Sequence, residues 1–261
     1  MNQAVDQLVD GLTRFRIDLS YDGTEFAGWA KQPKLRTVQG EVISVMHKIF
    51  GESETDFGLR VAGRTDAGVH ATGQVIHVDL PESLVLDDLV YKLNRLLDED
   101  IRIHDISIAA GAFHARFSAL RRHYRYKILD ANKVLGPLSR IDVATWYRPL
   151  DVDVMNKTSA LLLGKHDFAA FCKFREGSTT VRTLEKYEWT RNQEGFLVAD
   201  ISASSFCYSM VRNLVGAVVC VADGRFDPDW IVGVLNNKER VSDSLVFPAR
   251  GLTLYQVDYP H

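Results

Sequence analysis

A chain of 261 residues with 46% hydrophobic and 25% charged residues is long enough to bury a substantial core as one large domain or two fused lobes. No apolar run approaches the ~18 residues of a membrane span, and residues 1–12 lack the basic-then-apolar pattern of a signal peptide. The three cysteines, Cys172, Cys207 and Cys220, form no CxxC pair, which argues for reduced thiols in a cytoplasmic protein and against a disulfide scaffold. A net charge of −3 does not advertise a nucleic-acid binder, but it hides an asymmetry. Asp79–Asp100 holds seven acids against Lys92 and Arg95, whereas His114–Lys127 holds Arg116, Arg121, Arg122, Arg125 and Lys127 and no acid. A local field of one sign steers a polyanion whatever the total charge, although a basic run is also what a solvated face looks like.

Residues 1–13 read as a disordered leader. From Arg14 the pattern alternates, Phe15, Ile17 and Leu19 against Arg14, Arg16, Asp18 and Ser20, which predicts a half-buried strand. Tyr21-Asp22-Gly23-Thr24 supplies a turn. Thr37 caps a helix on which Val38, Val42, Val45, Met46 and Ile49 recur at helical spacing, and Gly51 ends it. Phe57–Ala62 and Gly73–Leu80 read as strands. Leu86–Leu97 reads as a helix with Leu86, Leu89, Val90, Leu93, Leu96 and Leu97 inward, and Ile101–Ile108 as a strand. Strand–helix–strand–strand–helix–strand is the order of a ferredoxin-like unit. Phe113–Leu120 is a linker or loop. The next strand sets Tyr124, Tyr126 and Ile128 against Arg125, Lys127 and Leu129. Asp151–Leu163 reads as a helix closing at Gly164, His166–Phe171 as loop, Val181–Arg191 and Phe196–Ala203 as a hairpin, and Phe206–Val221 as a strongly apolar helix. Asp227-Pro228 opens another helix by cap and first-turn proline, and Leu252–Val257 is a final strand. The expected lobes are 14–112 and 113–261, both α+β, with no low-complexity linker between them.

Between the strands at 57–62 and 73–80 lies Gly63-Arg64-Thr65-Asp66-Ala67-Gly68. Two glycines bracketing an arginine, a threonine and an aspartate make a tight loop on a rigid scaffold, where reactive groups are commonly held. The same residues also describe an ordinary turn in which Asp66 bonds its own backbone.

The nine residues Gly63-Arg64-Thr65-Asp66-Ala67-Gly68-Val69-His70-Ala71 resemble the signature of the tRNA pseudouridine synthase A family. The Ser-Tyr-Asp-Gly-Thr run with Phe26-Ala27-Gly28-Trp29, the Arg121-Arg122-His123-Tyr124-Arg125-Tyr126 segment and Met210-Val211-Arg212-Asn213-Leu214-Val215-Gly216 are similar to the family as well. The resemblance implies the pseudouridine synthase fold, two ferredoxin-like α+β lobes sharing a mostly antiparallel sheet with a central cleft. It implies a cofactor-independent isomerase that converts uridine to pseudouridine in the tRNA anticodon stem-loop and works as a homodimer. Asp66 takes the family's catalytic place, as a nucleophile. Arg212 is its implied ion-pair partner; read from the residues alone, an arginine in an apolar helix could equally reach solvent by its long stem. Arg64 takes the place of a residue that fills the stack vacated by a flipped base, with a phosphate contact or a second charge partner for Asp66 as open alternatives. Tyr124 is implied to stack on the uracil and move a proton, while Tyr126 better fits a core position. Leu252, after Gly251, resembles a position packing on the nucleotide. Phe206-Cys207-Tyr208-Ser209 departs from the family where histidines are expected.

For RNA, Arg60, Arg64, Arg116, Arg121, Arg122, Arg125 and Lys127, with Lys173 and Arg175, are expected to line one cleft around Asp66, the acids of Asp79–Asp100 facing away. His70 and His77 lack a third ligand at metal spacing, so no metal is expected, and no GxxxxGK[ST] or GxGxxG phosphate loop occurs. Two other classes fit part of the pattern: a non-catalytic RNA-binding module with aromatics exposed on its sheet, and a hydrolase using Asp66 with His70.

Overall fold

The computed structural model describes residue 8 and residues 11–51, 56–81, 86–173, 179–238 and 246–260. Residues 1–7, 9 and 10 of the expected leader, and Arg175, lie outside the described residues, whereas Leu12 and Thr13, expected in that leader, belong to the first strand, paired with Pro81 and Leu80. The chain forms two compact units, one of Met1–Leu120 with Leu254–His261 and the other of Arg121–Thr253. Both mix helices with mostly antiparallel strands.

The first unit runs β1 (Leu12–Tyr21), α1 (Val38–Phe50), β2 (Arg60–Val61), β3 (His70–Pro81), α2 (Leu86–Leu96) and β4 (Ile101–Ile108). β4, β1 and β3 are neighbours in that order, all antiparallel, and β2 pairs antiparallel with β3 at Arg60↔His77 and Val61↔Ile76. This is the split-βαβ arrangement that the element order predicts. The C-terminal strand β10 (Leu252–Asp258) lies next to β3. The two backbones approach so closely at Gly73 that a Cβ there would stand 2.2 Å from the Tyr255 carbonyl oxygen.

Phe15, Ile17, Leu19 and Tyr21 of β1 and Val75, Ile76, Val78 and Leu80 of β3 are buried. α1 begins where Thr37 accepts from Gly40 N–H at 3.3 Å, buries Val38, Val42, Ile43, Val45 and Met46, and ends at Gly51, whose φ of 93° favours glycine. α2 turns only Leu89 and Leu93 fully inward, with Leu97 just beyond its end; Leu96 is 45% exposed and Leu86 and Val90 are half-buried, against expectation. Leu86 and Leu96 stand on the stripe of Leu89 and Leu93, each seven residues from one of them, but they are the first and last residues of α2 (Leu86–Leu96), so the stripe is covered only along its middle.

Two features of this unit invert the alternating pattern. Phe57 and Gly58 both take positive φ, 55° and 62°, so the expected strand at 57–62 begins only at Arg60. Arg14, on the nominally polar face of β1, is 1% exposed. Its guanidinium holds the Asp79 carboxylate through two hydrogen bonds of 2.7 and 2.8 Å and also donates to the Phe113 carbonyl at 2.9 Å. Asp79, expected among solvent-facing acids, is therefore half of a buried pair across the Arg14↔Asp79 register. A buried charge is tolerated where a partner and added hydrogen bonds satisfy it.

The second unit contains β5 (Arg121–Leu129), β6 (Ala144–Thr145), α3 (Val152–Ala160), β7 (Gly164–Asp167), β8 (Val181–Arg191), β9 (Leu197–Ala203), α4 (Met210–Ala222) and α5 (Pro228–Asn237). Its strand order is β5-β9-β8-β7, antiparallel throughout, with β6 parallel to β5. α4 is the core helix: Met210, Leu214, Val215, Ala217, Val218, Val219 and Cys220 have no exposed surface. It starts four residues later than expected because Ser209, at φ 60°, reverses the chain ahead of it. Asp227 caps α5 by accepting from Trp230 N–H, with Pro228 in its first turn. α3 is shorter than the pattern suggests, and His166 and Asp167 lie in a strand rather than a loop. Gly-Lys-His-Asp has no apolar alternation; pairing with β8 at Gly164↔Leu184 and Asp167↔Val181 makes it a strand.

Candidate active site

The Gly63–Val69 loop joins β2 to β3 in the first unit, and its backbone is clamped from several sides. Ala62 N–H donates to the Val75 carbonyl at 2.9 Å, closing the loop at its base. The turn itself is closed by Val69 N–H on the Asp66 carbonyl at 3.2 Å, with Gly68 at φ 76°. The 23–29 segment packs against it. Trp29 N–H donates to the Thr65 carbonyl at 3.1 Å, and Gly68 N–H donates to the Phe26 carbonyl at 3.3 Å. A Cβ at Gly23 would stand 2.0 Å from the Val69 carbonyl oxygen, so only glycine allows this approach. The Ser-Tyr-Asp-Gly-Thr run and the signature thus meet as backbone against backbone.

Side chains finish the support. The Tyr21 hydroxyl lies 2.8 Å from Thr65 Oγ1, and Gln74 Nε2 donates to Tyr21 Oη at 3.1 Å and to the Gly63 carbonyl at 2.8 Å. All three side chains are buried. Burial pushes the Tyr21 phenol up to about 12 in spite of its bonds to Thr65 and Gln74. His70 is buried, with Nδ1 3.0 Å from both Gly23 N and an Asp22 carboxylate oxygen. Burial opposes the charge of Asp22, but the hydrogen bonds from Thr24 and the nearby His70 outweigh it and lower its pKa. His70 is thereby committed to the turn that supports the loop. Asp66 is half-buried and Arg64 exposed.

His77 occupies a different place, between Arg14 and the Phe113–Phe117 loop. Its Nδ1 accepts from Ala115 N–H at 2.9 Å, its ring meets His114 edge-on at 4.8 Å, and its buried Nε2 has no hydrogen-bond partner among the described residues. Burial first, then the positive field of Arg14 and His114, holds its pKa down to about 3, so it is neutral. Among the described residues no group of three or more His, Cys, Asp or Glu side chains is placed to hold a metal ion.

In the second unit Tyr124 is 7% exposed and meets Phe206 edge-on at 5.1 Å. Tyr126 is fully buried, its hydroxyl donating to the Pro248 carbonyl at 2.6 Å. A Cβ at Gly251 would stand 2.6 Å from the Tyr126 ring, so glycine lets the segment ahead of Leu252 lie on that ring. Leu252 is 5% exposed. Arg212 lies in the first turn of α4 and is half-buried. Its Nε donates to the Phe247 carbonyl at 2.7 Å while its own carbonyl accepts from Phe247 N–H at 3.2 Å, so Arg212 grips Phe247 by side chain and backbone. Asn213 steadies the same helix start, donating to the Phe171 and Ser209 carbonyls at 2.8 and 3.0 Å.

The candidate RNA-contacting cations have intramolecular partners. Arg121 pairs with Glu185, Arg125 with Asp200 at 2.9 Å and Lys127 with Asp142 at 2.6 Å. Arg122 shares the inward face of β5 with Tyr124 and Tyr126, is buried, and donates to the Ser204 carbonyl at 2.6 Å. Arg60 pairs with Asp56 at 3.3 Å, and Arg116 sits over the Phe117 ring at 5.2 Å. Lys173 lies over the Tyr208 ring at 5.5 Å. The support from Tyr21 and Gln74 was not expected from the sequence: Tyr21 read as a turn residue and Gln74 as one position of a strand.

Comparison with known proteins adds a second line of argument. A family profile described as tRNA pseudouridine synthase matches residues 159–260, which include Arg212 and Leu252. Three relatives called tRNA pseudouridine synthase A are similar along nearly the whole chain. The Frankia casuarinae protein is 51% identical over 97% of this chain and 92% of its own. That of Streptomyces avermitilis is 47% identical over 98% and 91%, and that of Mycobacterium leprae 46% identical over 95% and 90%.

Proposed function

The chain belongs to the tRNA pseudouridine synthase A family, and from that premise we propose that it isomerises uridine to pseudouridine in tRNA with Asp66 as the nucleophile. The observation that carries the proposal is the loop itself. An aspartate stands in a segment clamped by backbone bonds on both flanks and by a buried tyrosine–threonine–glutamine network below. Pre-set geometry of this kind converts binding into reaction.

The reaction breaks the N1–C1′ bond, turns the base and joins C5 to C1′. N1 gains a proton, C5 loses one, and the atoms balance with no electron donor or acceptor. The Asp66 carboxylate adds to the uridine, at sugar or base, and leaves when the new bond has formed. Arg212 is the cation that pairs with the Asp66 carboxylate during turnover. Tyr124 stacks on the uracil and handles a proton. Arg64, exposed on the loop, takes the space of the departing base. Leu252 packs on the nucleotide. The substrate region is the anticodon stem-loop, the working form a homodimer, and the compartment the cytoplasm. No helix among the described residues is long and apolar enough to cross a membrane.

The module reading needs aromatics displayed on a sheet face, whereas Tyr126 is fully buried and Tyr124 nearly so. The direct experiment is incubation with unmodified tRNA transcript followed by mapping of pseudouridine. Wild type is expected to modify uridines of the anticodon stem-loop. Asp66→Asn is expected to leave them unchanged while binding tRNA within a few-fold of wild type. Turnover by Asp66→Asn at the wild-type rate would refute the role of Asp66.

A further inference from the structure

We propose that Tyr21 and Gln74 are positioning residues for Asp66: they form a directional hydrogen-bond relay, Gln74 to Tyr21 to Thr65, that holds the loop in its reactive conformation. The inference rests on the reading of Asp66 as nucleophile and adds two residues outside the loop to the machinery.

The direction of the relay follows from the groups themselves. The Gly63 carbonyl can only accept, so the amide atom 2.8 Å from it is the NH₂ of Gln74. On the other side Val75 N–H donates to Gln74 Oε1 at 3.3 Å, which independently sets the same orientation. The NH₂ therefore also donates to Tyr21 Oη at 3.1 Å. With one lone pair occupied by that donor, the buried phenol has Thr65 Oγ1, 2.8 Å away, as the acceptor for its own proton. Each bond fixes the next, and Thr65, the residue before Asp66, is held by its hydroxyl from below and by its carbonyl from Trp29 N–H.

The strands are built to deliver these two side chains. β1 and β3 keep regular register up to Leu19↔Gln74, then shift before Tyr21↔Ala71. A bulge adds local twist and re-aims a side chain, and it stands here at the end of β1 from which Tyr21 reaches the loop. Gln74 is fully buried and Tyr21 4% exposed, on strands whose neighbouring inward positions are Leu19, Val75 and Ile76. Aliphatic side chains would fill that space without the cost of desolvating an amide and two hydroxyls. A polar network that is fully connected instead specifies one geometry. Burial holds the phenol near 12, so Tyr21 remains a donor across the range in which the enzyme is assayed.

The test is single-turnover kinetics on tRNA labelled with tritium at uridine C5, with tRNA affinity and thermal stability measured in parallel. Tyr21→Phe keeps the ring beside Trp29 (centroids 5.9 Å apart) and removes only the hydroxyl. The expected result is a fall in the rate constant of about 10- to 100-fold, the scale of a small misplacement of a reacting group, with tRNA affinity within about twofold. The pH profile should keep its shape at lower height. Thr65→Val should lose a similar factor, Thr65→Ser should recover most of it, and the Tyr21→Phe/Thr65→Val pair should be little worse than either alone, because all act through one relay. A wild-type rate constant in Tyr21→Phe, or losses that multiply in the double variant, would overturn the relay. If Tyr21→Phe fails to fold, a wild-type rate constant in Thr65→Val does so. Wild type and Asp66→Asn run in the same assay separate the two levels: an inactive wild type or an active Asp66→Asn defeats the assignment of function, whereas normal behaviour of both with a fully active Tyr21→Phe defeats only the relay.

Discussion

Arg212 and His77 show how differently two buried-side polar residues can be used. Arg212 spends one donor on the Phe247 carbonyl at 2.7 Å. Arg212→Lys keeps the charge and loses the Nε at that point, so the 246–252 segment ahead of Leu252 should loosen. The expected cost is about 1–3 kcal/mol for the stranded carbonyl, read as a lower thermal midpoint, together with reduced turnover. If the proposed pairing with Asp66 holds, a double-mutant cycle between Arg212→Ala and Asp66→Ala should also show coupling in the rate; unchanged stability in Arg212→Lys would refute the Phe247 role.

His77 has the opposite character, kept neutral by burial and by Arg14 and His114, with Asp79 partly opposing them. Its folded pKa of about 3 lies below the ordinary 6.5. The unfolded chain therefore binds a proton that the folded one refuses, and stability falls as pH drops below the unfolded value. The loss should be on the order of 2 kcal/mol between about pH 7 and about pH 5. His77→Asn removes the titration and leaves an oxygen to accept from Ala115 N–H. Urea midpoints should therefore vary less with pH in this variant; an equally steep dependence would show that other groups carry it.

At the scale of elements, β3 is the most tightly constrained strand of the first unit, with β1 and β10 as neighbours and β2 beside it near Ile76. Gly73→Ala puts a methyl 2.2 Å from the Tyr255 carbonyl oxygen, and neither the Cβ nor that oxygen can move without its backbone. Overpacking of this sort should cost about 3 kcal/mol, the upper end of its usual range, and should release the C-terminal strand first. Hydrogen exchange of residues 254–258 in Gly73→Ala is the measurement, and wild-type protection there would contradict the close approach. The elements recognised from sequence were those with local punctuation: Thr37 and Gly51 around α1, Asp227-Pro228 at α5, the alternation of β1 and the hairpin of β8 and β9. Those misread lacked it. β7 has no apolar period, and α4 lost its expected first turn to a left-handed serine that no propensity predicts.

For the molecule as a whole, the question is how a chain of net charge −3 holds tRNA. Arg121, Arg125 and Lys127 already have carboxylate partners, each with a substantially exposed side chain. Exposed pairs contribute roughly 0–1 kcal/mol, so exchanging a carboxylate for a phosphate costs little. We therefore expect tRNA affinity to depend steeply on salt, weakening by at least about tenfold between roughly 50 and 200 mM if several phosphates are neutralised. Arg121→Glu should weaken binding and shallow that slope without altering the rate constant at saturating tRNA. A dissociation constant nearly independent of salt would refute an electrostatic grip.

The residues alone determined the α+β class, the positions of most helices and strands, and the loop around Asp66, because caps, periods and glycine turns are signals between residues a few positions apart. Only the tertiary structure decided which distant residues meet. Arg14 reads as a polar-face residue until Asp79 of β3 stands opposite it, 65 positions away. Tyr21 reads as the edge of a turn until the shifted register of β1 on β3 brings it to Thr65 and Gln74. The C-terminal strand carries no local mark of its place beside β3. Strand pairing is set by complementarity over long separations, which a short stretch of sequence cannot encode by itself, and the support of Asp66 is made almost entirely of such pairings.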